Sequence, residues 1–123
     1  MGKLAVVGLG LIGGSMALDL KKRLKYQVYG IDKNPEHIKS ALKLGIIDKE
    51  ADFSDLKDIE VVIVAVPVNY IAEVSQKVLD NISDETLVLD VGSVKNNICE
   101  ALKKHPKRQN FVAAHPLAGT EFS

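Results

Sequence analysis

Gly8-Leu9-Gly10-Leu11-Ile12-Gly13 follows directly on the apolar run Leu4-Ala5-Val6-Val7, and an aspartate, Asp32, stands nineteen positions beyond the last of these glycines. A G-x-G-x-x-G string alone says little. Here a strand precedes it, a helical pattern follows it and a carboxylate ends the next strand, the context that marks a dinucleotide-binding turn. Gly8 permits the tight turn, Gly10 lets backbone approach a pyrophosphate, and Gly13 lets the helix pack close on the strand. The free amides and dipole at the helix start then stabilise phosphates without a cationic side chain. Residues Gly8 to Gly13, with Leu9, Leu11 and Ile12 between the glycines, are therefore the expected cofactor-binding segment. The competing reading is that the glycines serve only turn and packing.

Outward from this segment the chain alternates strands with helices. Strands are expected over residues 3–8, 27–32, 61–66, 86–91 and 111–114, with a short edge strand near Ala51 in the polar stretch 46–58. Helices are expected over 11–25, from Pro35 (capped by Asn34) to a stop at Gly45, over 70–79, and from a Ser93 cap to Lys104. The β-branched run from Val61 to Val66 marks a central parallel strand covered on both faces. Strands joined by crossover helices imply a right-handed, doubly wound parallel sheet of the Rossmann type, α/β in class, with residues 1–123 as one dinucleotide-binding domain.

Asp32 is placed to accept hydrogen bonds from adenosine ribose hydroxyls, and its charge would repel a 2′-phosphate, so NAD is favoured over NADP. Lys33 beside it softens that discrimination. Val66 and Pro67 end the central strand at the topological switch point, where the nicotinamide half of a cofactor lies; Pro67 also terminates the strand.

The bulk properties exclude several classes. Sixteen Lys and Arg balance sixteen Asp and Glu, so nothing marks a nucleic-acid or membrane-surface partner. The apolar run from Val61 to Val68 is too short to span a bilayer. Met1-Gly2-Lys3 leads straight into a strand, so no signal peptide is expected. The single cysteine, Cys99, fits a reducing cytoplasm and reads as helix packing. No Cys, His or carboxylate cluster has metal-ligand spacing.

Two further segments fall at strand ends on the side where open α/β sheets bind ligands: Asp90-Val91-Gly92-Ser93-Val94-Lys95 and His115-Pro116-Leu117-Ala118-Gly119-Thr120-Glu121. His115 is the histidine so placed, whereas His37 and His105 read as solvated. Ser93 reads equally as a helix N-cap and as a hydroxyl that touches substrate. Lys95 reads as a solvated lysine or as a partner for an anion.

Together with Gly8-Leu9-Gly10-Leu11-Ile12-Gly13-Gly14-Ser15, these two segments resemble the nucleotide-binding domain of prephenate/arogenate dehydrogenases of tyrosine biosynthesis. The resemblance implies an NAD-dependent oxidative decarboxylation of a small-molecule substrate, prephenate or arogenate. It further implies that His115 is the general base, that Ser93 bonds the same hydroxyl or orients His115, and that Thr120 and Glu121 line the substrate mouth. Members of the family carry a second, helical domain that makes a homodimer and supplies cations for the substrate carboxylates. Residues 1–123 are expected to hold the nucleotide-binding domain without that second domain, and no arginine follows Arg108 among them. The chain alone is accordingly expected to bind NAD with little or no turnover, and to expose an apolar patch near its C-terminus. Competing readings are a β-hydroxyacid dehydrogenase or pyrroline-carboxylate reductase type, and a non-catalytic NAD-sensing domain.

Overall fold

The computed structural model describes residues 2–91 and 102–113. Its main elements are β1 (Lys3–Val7), α1 (Leu11–Leu24), β2 (Gln27–Ile31), α2 (Pro35–Lys43), β3 (Lys49–Glu50), β4 (Val61–Val64), α3 (Ile71–Asn81), β5 (Leu87–Asp90) and β6 (Phe111–Ala113). The strands form a six-stranded sheet in the order β3-β2-β1-β4-β5-β6. Every adjacent pair is parallel. This is the doubly wound Rossmann arrangement the sequence implies, with the chain reversing direction across the sheet between β1 and β4.

Alternation along each strand divides the core. Leu4, Val6, Val28 and Ile63 pack on one face with Ala17 of α1 and with Ile38 and Ala41 of α2. Ala5, Val7, Val62, Val64 and Val88 pack on the other with Leu56 and with Ile71, Val78 and Leu79 of α3. Because both faces are covered, the central strands carry unbroken apolar runs. Each fully buried aliphatic side chain contributes about 1.5–3 kcal/mol.

Local signals set the element ends. The Asn34 side chain accepts the Glu36 N–H at 3.0 Å, with Pro35 in the first turn of α2. Gly45 follows that helix at φ +73°, a conformation glycine adopts freely. Asp48 fastens the connection beyond: one oxygen accepts the Val28 N–H at 2.8 Å and the other accepts from Lys21 Nζ at 2.7 Å. On the far side of the sheet, the Asn110 amide donates to the carbonyls of Asp84 and Thr86, both at 2.8 Å, and so anchors the entry to β6.

The short edge strand expected near Ala51 is Lys49–Glu50. Two details differ from the sequence expectation. The stretch Phe53–Asp58 forms a 3-10 turn whose Leu56 is wholly buried. A 3-10 turn at Val68–Tyr70 precedes α3, which begins at Ile71 and continues to Asn81. Short 3-10 turns lack the 3.6-residue apolar rhythm, so pattern reading passes over them.

The packing of α1 on the sheet rests on Gly13. A β-carbon there would stand 1.9 Å from the Gly8 carbonyl oxygen, whereas one on Gly14 would meet nothing nearer than 3.8 Å. Gly13→Ala is therefore expected to cost about 3 kcal/mol in a urea unfolding titration. Gly14→Ala should be neutral, or stabilising by up to about 1 kcal/mol through helix propensity.

Candidate cofactor site

Gly8 ends β1 at φ +98°, and a β-carbon on it would lie 2.8 Å from the carbonyl carbon and oxygen of Ala65. The β1–α1 turn thus lies directly against the end of β4, with no side chain between them. The Gly8 N–H donates to the Ile31 carbonyl at 2.7 Å, tying the same turn to β2. Gly10 caps α1 without a side-chain hydrogen bond, and no acidic residue occupies the first turn. The opening amides of α1 therefore keep their donor capacity for an anion.

Above these strand ends lies a cavity of about 820 Å³, lined by Gly8, Gly10, Asp32, Val66 and Pro67 among others. Five residues expected from sequence to contact a cofactor are thus brought together. Leu9 and Gly13 are placed differently. The Leu9 side chain is buried in the core below the turn, and Gly13 packs against Gly8. The side chains of Leu11 and Ile12 lie outside the described residues, as do Ser93, Lys95, Cys99, His115, Thr120 and Glu121 and nearly all of the helix expected from Ser93 to Lys104.

Asp32 is the electrostatic centre of the site. Its Oδ2 accepts the Leu9 N–H at 2.7 Å and lies 2.9 Å from His37 Nδ1, while Oδ1 accepts the Asn34 N–H at 2.8 Å. Burial alone would raise the pKa of this carboxyl. The Asn34 and Leu9 amides and the His37 imidazole outweigh that effect and hold it below the ordinary carboxylate value. The site therefore carries a negative charge at the end of β2 and amide donors at the start of α1.

His37 is exposed, as the sequence reading has it, but it also lines the cavity and pairs with Asp32. His105 departs from its reading as a solvated group. His105 Nε2 lies 2.7 Å from Asp80 Oδ1, with its side chain only 13% exposed. For His37 a signal was available: it is the third residue after the Asn34 cap, the position whose side chain reaches back over a helix start. The cavity wall also contains Phe53, Tyr70 and Lys77, to which the sequence reading gave no site role. Lys33 Nζ stands 4.4 Å from the Tyr70 ring centroid, and Lys77 Nζ stands 4.5 Å from that of Phe53. Such contacts contribute about 0.5–1 kcal/mol each at exposed positions.

A parallel sheet in this order, a glycine turn against its switch point and an acidic residue closing β2 define a dinucleotide-binding domain. The model for the nucleotide-binding domain of prephenate dehydrogenase matches residues 16–123, and the chain belongs to that family. It is 41% identical over 123 residues to the prephenate dehydrogenase of Bacillus subtilis, an alignment that takes in 96% of this chain and 33% of that protein. Among solved structures, the prephenate dehydrogenase of A. aeolicus in complex with hydroxyphenyl propionate and NAD+ is 35% identical, with a TM-score of 0.84 over 97% of this chain and 43% of that one. The arogenate dehydrogenase of Synechocystis is 30% identical, with a TM-score of 0.79 over 93% of this chain and 40% of that one. The chain thus spans about a third of the length of its Bacillus relative. Membership of this family decides against the β-hydroxyacid dehydrogenase type of reading.

The lowered pKa of Asp32 has a consequence for stability. A carboxyl whose folded pKa lies below its unfolded one stabilises the fold above the unfolded value, and loses that contribution as pH falls through the folded value. Asp32→Asn should therefore cost about 1–3 kcal/mol at pH 7, because it removes charge-assisted hydrogen bonds at a partly buried position. The difference from the parent should shrink below about pH 4, as read from urea midpoints across pH.

Proposed function

We propose that this chain is the NAD-binding half of a dehydrogenase that oxidatively decarboxylates prephenate or arogenate. The observation that carries the proposal is the partly buried, ionised Asp32 at the end of β2, facing a cavity whose other end is the uncapped start of α1. The residues fit a dinucleotide. A β-carbon on Gly10 would meet nothing within 4 Å, which leaves open space where a pyrophosphate would approach the backbone. The first amides of α1 would hold its oxygens, and Asp32 would accept from the adenosine ribose. Val66 and Pro67 would flank the nicotinamide end. The complex of the A. aeolicus relative with NAD+ supports this choice of cofactor.

When bound, the nicotinamide ring supplies the hydride acceptor. His115 takes the proton of the substrate hydroxyl on a ring nitrogen as the C–H bond breaks, general-base work suited to an imidazole near neutral pH. Ser93 donates to or accepts from the same hydroxyl, or orients His115. Thr120 and Glu121 line the substrate mouth. Loss of carbon dioxide leaves the ring aromatic. A further domain, beyond the third of the Bacillus relative that this chain covers, supplies the cations for the substrate carboxylates and the homodimer contact. The enzyme works in the cytoplasm, in keeping with its single cysteine; no helix among the described residues is long and apolar enough to cross a membrane.

Calorimetric titration of the chain tests the cofactor assignment. NAD should bind at least tenfold more tightly than NADP, a difference of about 1.4 kcal/mol; equal affinities would refute the role given to Asp32. Gly10→Ala should weaken NAD at least tenfold while changing stability by less than about 0.5 kcal/mol, because Gly10 has φ −71° and no neighbour to displace. In the longer enzyme, His115→Asn should lower kcat by about 10²- to 10⁴-fold with NAD affinity retained. Unchanged turnover would remove His115 from the mechanism.

A further inference from the structure

An ionised carboxylate only accepts hydrogen bonds, and each of its oxygens offers two lone-pair positions. Among the described residues, Oδ2 of Asp32 has both filled, by the Leu9 N–H at 2.7 Å and by His37 at 2.9 Å. Oδ1 receives the Asn34 N–H alone. Because the acceptor has no proton to give, Nδ1 of His37 carries the hydrogen whether the ring is neutral or charged. The Asp32 side chain is 9% exposed and that of His37 is 46% exposed, so the imidazole forms the outer cover of the carboxylate. The two donors on Oδ2 are not equivalent. The Leu9 amide is part of the β1–α1 turn, which is fixed by the Gly8 and Gly13 contacts, whereas His37 is an exposed side chain that single-bond rotation can remove.

We propose that His37 is a specificity-determining residue of the adenosine-ribose site: it occupies the Oδ2 position that a second ribose hydroxyl would need, so Asp32 receives one hydroxyl, on Oδ1. This rests on the reading of the site as one for NAD. A ribose presents two vicinal hydroxyls, each a potential donor to the carboxylate. With His37 in place the carboxylate has one open position for the pair. The second hydroxyl either finds another partner or displaces the imidazole, and displacement costs the hydrogen bond that His37 makes. The histidine is thus an internal competitor of the cofactor at Asp32, and it is a positioning residue for the carboxylate rather than a catalytic one. It also sets how strongly the site depends on an intact ribose, since opening Oδ2 would let Asp32 read both hydroxyls.

The test is a calorimetric comparison of the chain with its His37→Ala and His37→Asn variants. The ligands are NAD and its two analogues with 2′-deoxyadenosine or 3′-deoxyadenosine in place of adenosine. His37→Ala should bind NAD about three- to tenfold more tightly than the parent, the range of one added hydrogen bond. That gain should vanish for the analogue lacking the hydroxyl that reaches Oδ2. His37→Asn, whose carboxamide N–H can donate from near the imidazole Nδ1 position, should bind NAD as the parent does. Unchanged or weaker NAD binding by His37→Ala, or a gain kept in full by both deoxy analogues, would overturn the proposal. If the parent chain binds no NAD, the cofactor reading itself fails, and the proposal with it.

Discussion

The contact between Gly13 and Gly8 is the constraint on which the rest of the cofactor end depends. A β-carbon at position 13 would fall 1.9 Å from the Gly8 carbonyl oxygen, and one at position 8 would fall 2.8 Å from the carbonyl of Ala65. Three segments far apart in sequence (the end of β1, the start of α1 and the end of β4) therefore meet backbone to backbone. No side chain separates them. This closeness aims the first amides of α1 into the crevice where the sheet reverses direction, and it keeps the turn from sagging into the core beneath it.

Asp32 extends that constraint to β2. Its carboxylate binds an amide of the glycine turn and the amide of Asn34 beyond the strand, and so couples the turn after β1 to the start of α2 across a single side chain. Desolvation opposes placing a charge there, and the converging N–H groups more than offset it. The charge that holds the turn also lines the cavity. Leu9, sequentially inside the fingerprint, contributes its amide to Asp32 and its side chain to the core.

Much of this was legible in the sequence because the signals were local. The β-branched run from Val61, the Asn34-Pro35 start and the stop at Gly45 each state a backbone requirement within a few residues, and the spacing from Gly13 to Asp32 reports one strand–helix–strand unit. The missed features depend on distant partners. The burial of Leu56 comes from α3, which packs over the 3-10 turn that carries it. His105 is paired because Asp80, twenty-five positions earlier, ends up beside it. His37 lay between the two cases, since its helix position was readable but the carboxylate it reaches belongs to the preceding strand end. Phe53 and Tyr70 stand out in no repeating pattern; Phe53 packs against the core from its 3-10 turn, and each ring is covered by a lysine from elsewhere in the chain.

The division of labour along the chain follows from the same physics. Everything needed to hold a dinucleotide is backbone amide, helix dipole and one carboxylate, all fixed by packing of the central strands. Binding that is equal before and during a reaction does not by itself lower the barrier of the chemical step. Acceleration requires groups that act only as the hydroxyl proton and the hydride depart, and in this chain the residues assigned that work, Ser93 and His115, belong to the segments that follow β5 and β6. Those strands neighbour the switch point on the side away from Asp32. The end of β2, where Asp32 stands, and the ends of β5 and β6 therefore lie on opposite sides of the crevice between β1 and β4.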